Sequence, residues 1–70
     1  MKKIVDNNGA TMLVLNDKDA MDAYEYLTIP SYKLAEQRGL KMKDFYELNR
    51  KYYQPIRGKG YELPYKIENL

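Results

Sequence analysis

Ser31 to Arg50, SYKLAEQRGLKMKDFYELNR, is the stretch whose reading decides the fold. It contains two short helical patterns joined by a tight corner. Leu34 and Ala35 lie on one face of the first, and Gly39 ends it. Leu40, Met42, Phe45 and Leu48 form an apolar stripe for the second. A small alanine, a glycine four residues on, then hydrophobic residues six and nine after that glycine, is the spacing of a helix-turn-helix. Ala35 is small where the two helices are expected to cross. Gly39 can take the left-handed conformation that the corner requires. Phe45 and Leu48 are expected to pin the second helix to the first, and Leu34, Ala35, Leu40, Phe45 and Leu48 to be buried together, joined by Leu13, Leu15, Tyr24 and Leu27.

Working outward, Lys2–Asp6 and Ala10–Leu15 are β-rich, and Asn7-Asn8-Gly9 between them is a strong turn signal, so residues 1–15 are expected to form a hairpin. Met12 to Leu15 is apolar on both faces and should lie inside a sheet or under a helix rather than at an open edge. Residues 16–29 read as a helix. Asn16 or Asp17 can cap it, Asp17, Asp19 and Asp22 suit its positive end, and Pro30 stops it. Ser31 is a natural cap for the next helix, and the helix-turn-helix spans 31–52. Beyond it, two aromatic-rich segments flank Arg57-Gly58-Lys59-Gly60, which reads as a second hairpin over 53–65 with a basic tip. Pro55 and Pro64 suit edge strands. The tail from Lys66 to Leu70 is expected to fray. The fold class that follows is α+β: one domain over 1–70, with an N-terminal β-hairpin, three helices including the helix-turn-helix, and a C-terminal hairpin in the position of a wing.

Composition narrows the chemistry. With 70 residues the core must be thin. Eight tyrosines and four methionines carry much of it, because Trp is absent and Phe occurs once. No histidine and no cysteine is present, which excludes His-based catalysis, catalytic triads, zinc sites and disulfides. The carboxylates are scattered, no nucleophile has a base beside it in the pattern, and no cofactor is implied, so no enzymatic activity is expected. No apolar run approaches a membrane span and no export signal is visible, so the expected compartment is the cytoplasm and no membrane partner is expected.

Charge is uneven. Residues 1–30 hold three lysines and five acids, a net of −2, whereas residues 31–70 hold nine Lys/Arg and five acids, a net of +4. A basic half points to a polyanion. Lys41, Lys43, Arg50 and Lys51 lie on or beside the second motif helix, and Tyr46, flanked by Phe45 and Glu47, should point outward. That helix can enter a major groove. Arg57 and Lys59, between glycines, can reach phosphates. The expected interface is therefore Lys41, Lys43, Tyr46, Arg50, Lys51, Arg57 and Lys59, its partner double-stranded DNA, with a homodimer or cooperative assembly on DNA compatible with it. An ordinary solvated helix face is the plain alternative, since Asp44 and Glu47 can pair with lysines at helical spacing. Tyr52, Tyr53, Tyr61 and Tyr65 could stack on bases, but most are expected to be core.

Tyr26-Leu27-Thr28-Ile29, Leu34-Ala35 with Gly39-Leu40, and Ile56-Arg57-Gly58-Lys59-Gly60-Tyr61 together resemble the winged helix-turn-helix domain of phage and transposon excisionases and MerR-type regulators. Arg38 departs from that pattern, standing where the first helix ordinarily presents an apolar residue. The resemblance implies non-catalytic DNA binding by a small regulator or recombination directionality factor of a mobile element. Leu34-Ala35, Gly39, Met42, Phe45, Leu48-Asn49, Ile56, Gly60 and Leu63 are also similar to the LysM module, which would imply binding of N-acetylglucosamine polymers. A small protein-binding adaptor or inhibitor that presents the same basic face to an acidic partner is the third class.

Overall fold

The computed structural model describes residues 1–70. Three antiparallel strands and three α-helices make an α+β domain in which β1 (Lys2–Val5), β2 (Thr11–Leu15), α1 (Asp17–Thr28), α2 (Ser31–Arg38), α3 (Met42–Leu48) and β3 (Lys66–Asn69) follow one another along the chain. The sheet order is β2-β1-β3. Ile4 pairs with Leu13 on one side and with Ile67 on the other, so apolar residues meet across all three strands. A bulge between Ile4 and Val5 leaves Met12 as the extra residue of β2.

The expected boundaries of the first two helices hold to within a residue, whereas the α-helical part of the third ends at Leu48, four residues short of the expected end of the helix-turn-helix. Asn16 caps α1, its side-chain oxygen accepting from the Asp19 N–H at 2.8 Å. Ile29 leaves the helix with extended backbone, as a residue before proline tends to do. The cap of α2 is Pro30 rather than Ser31, and the Leu34 N–H donates to the Pro30 carbonyl at 3.0 Å. Gly39 turns the corner at φ 62°, ψ 36°, and the Leu40 N–H returns to the Ala35 carbonyl at 3.1 Å. The Lys41 N–H donates to Asp44 Oδ2 at 3.1 Å, which fixes the start of α3. The chain continues from α3 into a π-helical turn, Asn49–Tyr53, and a 3-10 turn, Gln54–Ile56. Pro55 has no N–H to donate backwards, so the wide helix cannot run past it.

Three sequence expectations are corrected. Residues 53–65 are not a β-hairpin wing: they pass from the π-helical and 3-10 turns into an irregular loop, with Pro55 and Pro64 outside any strand. The tail does not fray, because β3 pairs along the whole of β1. That pairing makes β1 the central strand and leaves the apolar β2 at an edge, under α1 as expected on its inner face but with Val14 45 % exposed.

The core also differs. Ile4, Met12, Ala23, Tyr52 and Ile56 form its buried centre, with Leu13, Leu15, Tyr24, Leu27 and Leu48 partly buried against it. Leu34 is fully buried as expected, whereas Ala35, Leu40 and Phe45 are only half-buried. Tyr52 takes the place expected of Phe45. It is 1 % exposed, and its hydroxyl donates to Asp22 Oδ2 at 3.2 Å, so a buried phenol is satisfied. Burial, with Asp22 beside it, raises its pKa against the opposing pull of Lys51.

The loop after Gly60 is tied to the first hairpin through Asp6, which is 4 % exposed. Asp6 Oδ1 accepts from the Asn8 and Ala10 N–H groups at 2.9 and 2.8 Å, and Oδ2 from the Glu62 N–H at 3.2 Å. The Asn7 N–H donates to the Glu62 carbonyl at 2.8 Å, and Tyr61 Oη to the Thr11 carbonyl at 3.2 Å. Desolvation pushes the Asp6 pKa up, but the N–H donors of Ala10, Glu62 and Asn8 outweigh it and hold the carboxyl below its ordinary value.

Candidate functional site

Four acids on α1 are matched within the chain. Arg38 on α2 bridges Asp22 and Glu25. Lys51 Nζ stands 3.9 Å from Asp19 Oδ1, and the terminal ammonium of Met1 is 3.3 Å from Asp17 Oδ1. The acidic first half of the chain is thus partly neutralised by Arg38 and Lys51 from the second half and by its own terminal ammonium. Lys41, Lys43, Arg50, Arg57 and Lys59 form no ion pair in the fold.

The seven expected interface residues, these five with Tyr46 and Lys51, fall into three places. Lys43, Tyr46 and Arg50, spaced i, i+3 and i+7, share one exposed strip that runs from α3 into the π-helical turn, with Lys41 at its N-terminal end. Tyr46 is 65 % exposed, as its position between Phe45 and Glu47 suggested. Lys51 leaves this strip. Its ammonium lies 5.1 Å from the Tyr52 ring centroid on the side facing α1, and the Tyr52 side chain, followed by Asp19, raises its pKa. Arg57 and Lys59 are exposed on the loop beyond the 3-10 turn, where Gly58 and Gly60 have φ of 81° and 71°. They sit on no hairpin tip, because the strand expected beyond Gly60 does not form there.

Beside the strip, sequence reasoning missed a cleft. The close crossing expected at Ala35 is open: α2 and α3 diverge from the Gly39 corner and leave a recess of about 430 Å³. Tyr26, Ser31, Tyr32, Ala35, Phe45, Tyr46 and Asn49 line it. Two of the lining residues are joined, Tyr26 Oη donating to Asn49 Oδ1 at 3.4 Å, and the Tyr26 and Tyr52 rings lie 6.3 Å apart, linking cleft to core. Tyr32 and Met42 are each 70 % exposed on the helices that bound the cleft. The sequence signal for it was the number of aromatics within two turns of a corner, which helical periodicity alone assigns to a core.

No cluster of three or more carboxylates is placed to hold a metal ion, and no helix is long and apolar enough to cross a membrane. Neither protein-family models, nor curated proteins, nor solved structures give a match to this chain.

Proposed function

We propose that this chain binds double-stranded DNA without catalysing a reaction, using α3 as the element presented to the groove. The observation that carries this reading is the strip of Lys43, Tyr46 and Arg50, exposed and free of intramolecular ion pairs, on the helix that follows a left-handed glycine corner. Cations already matched by carboxylates would release few counterions on binding, whereas unmatched ones on one helix face release them to phosphates. Arg57 and Lys59 serve as a second, separate phosphate contact. The resemblance to excisionase and MerR-type domains extends the proposal to a small regulator or directionality factor of a mobile element, with α3 in the reading role but without a hairpin wing.

Titration of labelled mixed-sequence duplex at several salt concentrations tests it. Affinity should fall as salt rises, and Lys43→Ala should flatten that dependence by about one counterion. Duplex binding that is absent, or indifferent to salt, overturns the proposal. A chitin pull-down run alongside gives the alternative its own readout: retention on chitin without DNA binding transfers the assignment to glycans.

A further inference from the structure

The cleft between α2 and α3 has a lining that a duplex-reading helix does not need. Four of its walls are aromatic rings, those of Tyr26, Tyr32, Phe45 and Tyr46, and Ala35 is its one aliphatic side chain. Asn49 adds a side-chain amide whose oxygen accepts from Tyr26 and whose NH2 makes no hydrogen bond within the chain. Unpaired cations stand beside the cleft on α3 and on the π-helical turn that follows. Lys43 precedes Tyr46 by one turn and Arg50 follows it by one, roughly 10 Å apart at the usual helical rise.

Flat faces, an amide donor in the lining and cations on either side form a coherent set. A nucleotide within a strand offers two π faces of its base for the rings, polar base edges for Asn49, and a backbone phosphate on each side for Lys43 and Arg50. An aliphatic anchor from a peptide would meet little aliphatic surface and would leave the Asn49 amide facing an apolar group. Resting on the DNA reading above, we propose that the cleft holds an unstacked nucleobase, so that single-stranded or locally opened DNA is the preferred ligand over intact duplex.

The test uses a labelled single strand carrying one 2-aminopurine, the matching duplex, and a duplex with one unpaired base, titrated at low salt. Single strand and bulged duplex should bind about 10-fold tighter than intact duplex, the scale of one base–aromatic stack. The 2-aminopurine fluorescence should be quenched on binding. Tyr32→Ala removes one wall, and its 70 % exposure protects the fold. Ala35→Leu fills the cleft instead, and circular dichroism checks that both variants fold. Each should bring the ratio of single-strand to duplex affinity down to about one. Equal affinities in the parent chain with no quenching overturn the cleft proposal and leave duplex binding standing. Failure to bind any of the three DNAs removes the parent reading and this one together. Binding of an acidic aromatic peptide that Ala35→Leu abolishes, with no single-strand binding, overturns the proposal in favour of a peptide groove.

Discussion

Arg38 crosses from α2 to α1 and meets two carboxylates, Asp22 and Glu25, at a position where an apolar residue would have been the simpler choice. Both partners and the hydrogen bonds they accept hold the guanidinium charged, Glu25 foremost. Because the carboxylates remain about 35 % and 41 % exposed, solvent screens the bridge. Arg38→Ala should therefore cost only about 1 kcal/mol in urea unfolding, and the difference should shrink at high salt. Asp6 works through hydrogen bonds instead. Its pKa is lowered in the folded state, so its contribution is complete above the ordinary value of 3.8 and is lost as pH falls through the folded value. Thermal melts of the parent chain should lose stability below about pH 4, and Asp6→Asn should flatten that acid limb while lowering the melting temperature at neutral pH. An acid limb that is unchanged in Asp6→Asn would assign it to other carboxylates.

At the scale of elements, the corner between α2 and α3 depends on backbone conformation and not on space. A Cβ at Gly39 would meet nothing within 4 Å, yet φ is 62°. Gly39→Asn should be tolerated, whereas Gly39→Val should cost about 1–3 kcal/mol by denaturant unfolding, because a β-branched residue is strained in the left-handed region. Leu34 and Phe45 make a second contrast. Leu34 is fully buried, and Leu34→Ala should cost about 2–5 kcal/mol. Phe45 borders an open cleft, so Phe45→Ala should cost less than Leu34→Ala, the reverse of what periodicity alone suggests. If the two melts rank the other way, the cleft is closed in solution.

Across the whole molecule, the ends of the chain meet. β3 completes the sheet beside β1, and Lys2 Nζ donates to Asn69 Oδ1 at 2.7 Å. Removing residues 66–70 should therefore abolish cooperative unfolding rather than trim a loose end, and a truncated chain with an unchanged melt would contradict the strand pairing. Charge is also settled at this scale, since Arg38 and Lys51 are spent on α1 while Lys43 and Arg50 remain free for a polyanion. The features legible in the sequence were those fixed by neighbours. The Asn-Asn-Gly turn, the Asn16 cap, the Pro30 stop and the Gly39 corner each follow from a local backbone preference, and the outward position of Tyr46 follows from helical period. The α+β class followed from those elements in order. What needed the tertiary structure were partnerships between residues far apart in the chain. Lys66–Asn69 carries no strong strand pattern and becomes a strand because β1 offers it an unpaired edge. Residues 53–65 lose the hairpin their composition suggests because Asp6 and Asn7 take up the backbone of Glu62. Tyr52 takes the core position while Phe45 stays half-buried beside the cleft. Local preference is written within a few residues, but competition among aromatic side chains for a thin core is decided only when the whole chain has packed.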